Sequence, residues 1–252
     1  RIFKKKEDIL RFKEKFCIIS KRRRVGNLLW FHASSVGEVV SILPLIYKLE
    51  KNRSINQILL TSSTLSSAQI LKKFRFKKTI HQFFPIDSIF FSVKFLNHWR
   101  PSLAIFVESE VWPTIFKVLN NKKIPLMLLN ARITSKTFNR WSYFRKFAEK
   151  VFKNISIAYP QNTETQNFLK RLKIPKIKFI GNLKFINNKK DNLVSLDKKL
   201  LNNFKNRDIW CASSTHKNEE LICAKVHINL KKKNKNLLTV IIPRHIDRVP
   251  EI

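Results

Sequence analysis

The sequence predicts an α/β fold of two doubly wound, mainly parallel sheets, the second of them cut short. Strand-like and helix-like segments alternate from Leu28 to Gly181, a pattern typical of a parallel sheet covered by helices. A polar stretch rich in Asn, Lys and Asp interrupts this alternation at residues 187–207, and the alternation then resumes. We therefore expect a first Rossmann-like domain over residues 1–186, a linker over 187–207 and an incomplete second one over 208–252.

A strand–turn–helix unit opens the first domain. Residues 28–33 form an apolar run typical of a buried strand. After a polar break, apolar residues return at helical spacing, at Val39, Ile42, Leu43, Ile46 and Leu49. Pro44 is expected to kink this helix without ending it. Glu38 falls at or just inside the helix start, near the positive end of the helix dipole. This place suits either an acid that faces a ligand or a first-turn acid favoured by the dipole.

The same patterns predict the remaining elements in order. Strands are expected over residues 57–63, 81–85, 103–108, 126–130, 155–159 and 177–181, and helices over 66–74, 87 or 88 to 99, 112–120, 137–153 and 162–172. The long helix over 137–153 should bury one side, which carries Phe138, Trp141, Phe144, Phe147, Ala148 and Val151. In the second domain we expect a strand over 209–212, a helix over 218–230 and a strand over 237–242.

The chain is strongly basic, with a formal net charge of +34. Such a charge suits nucleic acid or an anionic membrane surface. The chain is also crowded with Lys, Asn, Ile and Phe and has only 3 Gly, so biased codon usage is the larger expected cause. Lysines and arginines form tighter runs at residues 4–6, 21–24 and 231–235. The charge alone does not predict nucleic-acid binding.

Cysteine spacing and hydropathy argue against disulfides, a zinc site and a membrane span within this sequence. The 3 cysteines are scattered without a CxxC pair, so neither a disulfide framework nor a zinc site is indicated. No apolar stretch reaches the ~18 residues of a membrane span. Residues 9–19 suit either an amphipathic helix on a membrane or an ordinary terminal helix. Because the chain begins at Arg1 and stops soon after a strand, we expect a fragment of a longer protein.

Polar clusters follow the strands of both domains. The carboxyl ends of parallel strands form the ligand-binding edge of a doubly wound sheet, so several clusters at such ends predict a cleft between two domains. Any one of these side chains taken alone suits a solvated loop, and one carboxylate of the pair Glu108 and Glu110 suits solvent too. The clusters are Ser34–Glu38, Glu108–Pro113, Asn130–Arg132, Gly181–Lys184, Ser213–His216 and Pro243–His245.

These clusters supply acids for proton transfer, and cations and hydroxyls for anionic groups. They include no metal-binding cluster of Cys and His, and the chain has neither a GxGxxG nor a Walker loop. The inventory predicts transfer of a group from a phosphate-bearing donor by general base catalysis, with no metal or cofactor.

Several motifs, in this order along the chain, resemble one family. They are Phe31-His-Ala-Ser-Ser-Val-Gly-Glu38, Glu108-Ser-Glu-Val-Trp-Pro113, Asn130-Ala-Arg132, Gly181-Asn-Leu-Lys-Phe185, Ala212-Ser-Ser-Thr-His216 and Ile242-Pro-Arg-His245. Together they resemble the 3-deoxy-D-manno-octulosonic acid (Kdo) transferases of lipopolysaccharide synthesis, from about Asn27 to the end of the chain. The resemblance implies a two-domain glycosyltransferase of GT-B type. Such an enzyme moves Kdo from CMP-Kdo to a lipid A precursor at the cytoplasmic face of the bacterial inner membrane.

Matching motifs also imply roles for individual residues. Glu38 would be the general base, Glu108 and Lys184 would assist the transition state, and Pro243 and Arg244 would hold the CMP moiety. Glu110 is a close second for Glu108. The remaining substrate-binding candidates rest on chemistry and location: Ser214, Thr215, His216 and His245 on the donor side, Arg132 for an acceptor phosphate, and Asn182.

The chain departs from the family in two ways. The family continues well beyond the position of Arg244 with further nucleotide-binding loops, and it carries a hydrophobic N-terminal anchor. We therefore expect the fragment alone to be inactive. Two alternatives stay open: another GT-B transferase with a nucleotide-sugar donor, and a basic nucleic-acid-binding protein. The second would need aromatic and basic residues interleaved on one exposed face, whereas the aromatic residues of 137–153 are expected in the core. Nucleic acid is therefore not expected as a partner.

Overall fold

The computed structural model describes residues 8–187 and 198–252. Its contacts divide the chain into two compact units, residues 1–189 and 190–252. Residues 188–197 of the expected linker lie outside the described residues, and a short helix, Lys198–Phe204, lies in its second half.

The first unit alternates strands with helices as expected. The strands are β1 (Leu28–His32), β2 (Gln57–Ser62), β3 (Thr79–Phe83), β4 (Leu103–Val107), β5 (Leu126–Ala131) and β6 (Ile157–Pro160). The helices are α1 (Val36–Glu50), α2 (Leu65–Lys72), α3 (Ile89–Trp99), α4 (Pro113–Asn121), α5 (Ser135–Tyr143), α6 (Arg145–Phe152) and α7 (Thr163–Arg171). Helix α1 continues through Pro44. None of the described helices has the length and apolarity needed to cross a membrane.

In the described part of the first unit, the sheet has six parallel strands in the order β3-β2-β1-β4-β5-β6. Trp30 on β1 lies opposite Leu59 of β2 on one side and Ala104 of β4 on the other. The strand order therefore reverses between β1 and β4. Such a switch point opens a crevice at the carboxyl ends of the strands, where doubly wound folds bind ligands.

The core packs on both faces of this sheet. Trp30 and Phe31 are neighbours in β1, both fully buried, and belong to different apolar clusters, because successive side chains of a strand point to opposite faces. One cluster contains Phe95 and Phe106, and the other contains Ile42. A strand that is apolar on both faces is what a central parallel strand requires.

The second unit contains β7 (Asp208–Thr215), α9 (Glu219–Lys231) and β8 (Leu237–Pro243), and α8 is the Lys198–Phe204 helix that precedes them. Among the described residues, β7 and β8 form a two-stranded parallel sheet. This is the arrangement expected for the start of a second doubly wound sheet.

The expected long helix over 137–153 is wrong. Helices α5 and α6 meet at Phe144, whose backbone (φ −112°, ψ 56°) is not helical. Because of this break, the buried side of α6 does not continue the buried side of α5 as one helical stripe. Phe138 and Val151 are buried, but Phe144 is 65% exposed and Phe147 is 52% exposed. The expectation that all these aromatic residues lie in the core is therefore wrong for the two at the break.

Two other expected elements differ. Residues 177–181 are not a strand: Ile177 makes an isolated bridge to Ala158, and the chain then turns at Gly181 (φ +82°) into a short 3-10 helix, Leu183–Asn187. Residues 9–19 contain a five-residue 3-10 helix, Phe12–Phe16, instead of an amphipathic α-helix. In this segment Glu14 is buried and accepts a hydrogen bond from the Phe83 N–H (2.9 Å).

Candidate active site

Three acidic residues lie at the switch point of the first sheet. Glu38 follows β1 across a short turn, and Glu108 and Glu110 follow β4. The structure brings these carboxylates together closely enough for Glu110 and Glu108 to perturb Glu38 electrostatically. Lys184 reaches the same place from the 3-10 helix Leu183–Asn187. The four residues belong to three distant parts of the sequence.

Glu38 is held at the first turn of α1. Its Oε1 accepts a hydrogen bond from the Ser35 hydroxyl (2.8 Å), and its Oε2 accepts one from the Ser34 N–H (2.8 Å). Ser35 in turn caps the helix by accepting a bond from the Glu38 N–H. Burial raises the pKa of Glu38 above its ordinary value, the neighbouring charges of Glu110 and Glu108 raise it further, and the two serine bonds oppose this. A carboxylate with a raised pKa is a stronger base.

Glu108 forms an ion pair with Lys184, with Oε1 and Nζ 2.7 Å apart. The Glu108 side chain is only 8% exposed, whereas that of Lys184 is 44% exposed. The backbone of Glu108 is left-handed (φ 56°), an uncommon conformation for a glutamate and one often found at functional sites. The carboxylate is thereby presented at the sheet edge next to a cation.

Asn130 positions the segment that carries Lys184. It is fully buried at the end of β5, and its Oδ1 accepts a hydrogen bond from the Leu183 N–H (3.1 Å). Its own backbone is left-handed (φ 52°), which asparagine tolerates better than most residues. Asn182 accepts a bond from the Lys184 N–H (3.0 Å). The sequence placed Asn130 in a polar cluster but did not assign it this role.

Glu110 has a different environment from Glu108. Its Oε2 lies 3.1 Å from Nε2 of His32 and accepts a hydrogen bond from Nε1 of Trp112 (2.7 Å). Neither His32 nor Trp112 was among the residues singled out from the sequence. The available signal was that each lies in the same motif as one of the acids. The structure thus separates two acids that their spacing left equivalent.

A polar cavity of about 380 Å³ opens beside the Glu108–Lys184 pair, at the carboxyl ends of β5 and β6. Two helices begin at its wall, because Thr134 caps α5 and Asn162 caps α7. Helix starts and basic side chains both favour an anion. The cavity is lined by Arg132, Ile133, Thr134, Ser135, Gln161, Asn162, Glu164, Asn182 and Lys184.

The candidates in the second unit also lie at the carboxyl ends of their strands. Ser214 is exposed near the end of β7 and His216 is exposed directly after it, and Arg244 and His245 are exposed after β8. Thr215 and Pro243 pair across the two strands beyond a register shift at Ser214, whose backbone is left-handed (φ 66°). Such a bulge redirects the side chains that follow it.

The hydroxyl of Thr215 is engaged within this unit. It donates a hydrogen bond to Glu220 (2.8 Å), and Glu220 also forms a two-point ion pair with Arg248 (3.0 and 3.1 Å). These bonds, above all those from Arg248, lower the pKa of Glu220 to about 2. The sequence did not single out either partner. Their pairing ties the end of β7 to the 3-10 helix Ile246–Glu251.

Among the described residues, no group of three or more His, Cys, Asp or Glu side chains is arranged to hold a metal ion. The site consists of a partly buried glutamate with a raised pKa, a carboxylate–lysine pair and a polar cavity suited to an anion. Such an arrangement can accept a proton and stabilise negative charge.

Solved structures with a similar fold support the fold class. The UDP-GlcNAc 2-epimerase of Neisseria meningitidis bound to UDP-GlcNAc matches with a TM-score of 0.59 and 18% identity, over 89% of this chain and 66% of that one. A Staphylococcus aureus MnaA–UDP structure matches with a TM-score of 0.58 and 13% identity, over 89% of this chain and 64% of that one. The expected α/β fold of GT-B type is confirmed.

Sequence comparison then identifies the family. The family described as 3-deoxy-D-manno-octulosonic-acid transferase (kdotransferase) matches residues 10–187. The 3-deoxy-D-manno-octulosonic acid transferase of Rickettsia bellii is 38% identical over 98% of this chain and 59% of its own length. The one from Haemophilus influenzae is 31% identical over 87% of this chain and 52% of its own length. The chain belongs to the Kdo transferase family, and it spans between half and three fifths of these two relatives.

Proposed function

We propose that the whole protein transfers Kdo from CMP-Kdo to a lipid A precursor, lipid IVA, in lipopolysaccharide synthesis. Family membership supports the sugar that is transferred. The observation that carries the chemistry is the meeting of Glu38 with the Glu108–Lys184 pair at the switch point of the first sheet. The reaction proposed is metal-independent, because Lys184 supplies positive charge next to the acids.

In the proposed reaction Glu38 acts as the general base. Its carboxylate takes the proton of an acceptor hydroxyl as that oxygen attacks the anomeric carbon of Kdo. The bond from this carbon to the phosphate oxygen breaks, and CMP leaves with the bonding electrons. Lys184, held by Glu108, stabilises negative charge that develops during the transfer. A base of this kind typically contributes about 10²–10⁴-fold to the rate.

Substrate contacts follow from the same edges of the two sheets. We assign the CMP moiety to Pro243, Arg244 and His245 together with Ser214, Thr215 and His216 of the second unit. In the first unit we assign the polar cavity to a phosphate group of the acceptor, with Arg132 and Asn182 on its wall.

We also propose that the protein works at the cytoplasmic face of the bacterial inner membrane and docks there through an aromatic ridge. The ridge is the surface formed by Tyr143, Phe144 and Phe147, which are 85%, 65% and 52% exposed. Exposed aromatic side chains among cations are typical of surfaces that insert at an anionic lipid interface. Lys136 and Arg140 line a cavity together with Tyr143 and Phe144, and Lys146 and Lys150 lie near Phe147 in the sequence of α6.

The transfer is tested with the whole protein, CMP-Kdo and tetra-acylated lipid A precursor, by following CMP release and the mass of the acceptor. We expect the wild type to add Kdo and E38Q to be slower by about 10²–10⁴-fold. The control E149Q alters a glutamate paired with Arg145 and Lys173 on the surface and should not change the rate. Equal rates for wild type and E38Q would refute the base. A folded wild type that transfers nothing from CMP-Kdo would leave another nucleotide-sugar donor as the alternative.

The ridge is tested by vesicle flotation at fixed salt. The double variant F144S/F147S should lose binding to vesicles that contain anionic phosphatidylglycerol. The control F90S alters a phenylalanine of similar exposure, 69%, on α3 and should keep binding. The ridge also meets the requirement stated above for a nucleic-acid surface. Steeply salt-dependent binding of single-stranded DNA that F144S/F147S abolishes, with no binding to vesicles, would therefore overturn the membrane proposal.

A further inference from the structure

His32 is the centre of a buried hydrogen-bond chain beneath the candidate active site. Its ring is fully buried between Thr61, which lies 3.0 Å from Nδ1, and Glu110, which lies 3.1 Å from Nε2. The ring also stacks on Phe84, with centroids 3.9 Å apart. Burial lowers the pKa of His32 below its ordinary value, so the imidazole is neutral at neutral pH.

The direction of each hydrogen bond in this chain follows from its partners. An ionised carboxylate accepts bonds only, so Nε2 of His32 carries the proton and donates to Glu110. The other nitrogen, Nδ1, is then an acceptor, and the Thr61 hydroxyl donates to it (3.0 Å) in place of the Phe31 carbonyl, which lies 3.2 Å from the same hydroxyl. Nε1 of Trp30 donates to the same hydroxyl oxygen (2.9 Å). Each polar atom along the chain is satisfied with His32 neutral and Glu110 ionised.

Two further groups fix the Glu110 carboxylate. Trp112 donates its indole N–H (2.7 Å), and the nearby Ser34 side chain helps to lower the pKa of Glu110. Ser34 therefore acts on two acids, since its N–H donates to Glu38. The Glu110 side chain is only 16% exposed. With these donors in place, the Glu110 carboxylate is bound by protein groups rather than left to bind a ligand.

We propose that His32, Trp112 and Ser34 hold Glu110 as a fixed negative charge beside Glu38, which makes Glu38 a stronger base. Glu110 is thus a positioning residue rather than the alternative to Glu108 that the matching motif left open. The inference rests on the proposed role of Glu38 in the transfer.

The electrostatics of the site agree with this division of roles. Burial alone would raise the pKa of Glu110, but its interactions with His32, Trp112 and Ser34 outweigh it and lower that pKa. Glu110 is therefore already ionised when Glu38 titrates. The charged groups around Glu38 are Glu110 and Glu108, and Lys184 pairs with Glu108. Removing the charge of Glu110 should therefore lower the pKa of Glu38.

The test is a carbon-13 NMR titration of the chain labelled at the glutamate carboxyl carbons, with the Glu38 signal assigned by E38Q. In E110Q the midpoint of Glu38 should move to lower pH, while E149Q should leave it unchanged. An unchanged midpoint in a folded E110Q overturns the proposal. Should E110Q fail to fold, the wild type decides. The proposal requires a proton on Nε2 of neutral His32 and a Glu110 midpoint below that of Glu38, and either observation reversed overturns it.

Turnover of the whole protein separates this inference from the proposed function. In E110Q the acidic limb of the pH profile of kcat/KM should move to lower pH. A rise in KM with an unchanged profile would mean that Glu110 contacts the substrate, and would overturn the proposal. If Glu38 titrates as described but the wild type transfers no Kdo, the electrostatic coupling stands and the proposed function fails. If Kdo is transferred but E110Q leaves the Glu38 midpoint unchanged, only the coupling fails.

Discussion

The ion pair between Lys184 and Glu108 should contribute measurably to the stability of the first unit. Its atoms are 2.7 Å apart, and the carboxylate is 8% exposed. Removing one partner of a fully buried ion pair costs about 3–5 kcal/mol, but exposed ion pairs contribute about 0–1 kcal/mol. Because Lys184 is 44% exposed, we expect K184M to destabilise the unit by about 1–2 kcal/mol. Methionine keeps most of the aliphatic stem, so the loss reports mainly on the charge.

The assay is urea unfolding followed by tryptophan fluorescence in a W210F background. Trp210 belongs to the second unit and the other tryptophans to the first, so this background isolates the first unit. The double variant K184M/E108Q should lose about 1 kcal/mol less unfolding free energy than the two single variants lose together, because the two side chains interact. The control K173M removes the exposed partner of Glu149 and should cost less than K184M, because exposed ion pairs contribute little to stability. Equal losses for K184M and K173M, or additive single variants, would refute the reasoning.

Three further predictions concern stability. N130A should destabilise the first unit by about 2–3 kcal/mol, because it removes a buried hydrogen bond and leaves alanine in a left-handed conformation; N130G should cost less in the same urea assay, and equal costs would contradict the strain. Burial lowers the pKa of His81 to about 3. The free energy of unfolding measured in urea should therefore fall as pH drops from about 6.5 towards 3, by at most about 1.4 kcal/mol per pH unit. A free energy of unfolding that does not change over this range would count against a buried neutral imidazole. Arg248 holds the pKa of Glu220 near 2, so the stabilisation from this ion pair is present above the ordinary glutamate range and is lost as pH falls towards 2. In R248A the acid unfolding of the second unit, followed by Trp210 fluorescence, should move to higher pH. An unchanged transition would refute this pairing.

Much of the fold could be predicted from periodicity. The apolar runs that became β1, β2, β4 and β5 are long and bounded by polar residues, so each was found to within two residues. The prediction of secondary structure failed where the pattern of side chains does not mark the change in the backbone. No proline or glycine marks the break at Phe144, and the apolar pattern continues through it. Residues 177–181 have the composition of a strand, but in this segment only Ile177 pairs with the sheet, through an isolated bridge to Ala158.

The candidate site shows the same division. That Glu38, Glu108 and Lys184 would meet could be expected, because each follows a strand-like segment and parallel strands end at one edge. The two acids near Trp112 were left equivalent by their spacing. The structure distinguishes them, because Glu108 pairs with Lys184 and Glu110 with His32.

The sequence by itself determined the alternation of strands and helices, the two sheets and the motifs that identify the family. These features depend on residues close together in the chain. Only the tertiary structure decided which partners hold each acid, because the partners lie far apart: His32 and Glu110 are 78 positions apart, and Leu183 and Asn130 are 53 apart. Burial, hydrogen-bond geometry and the resulting pKa shifts arise only when these distant segments pack together.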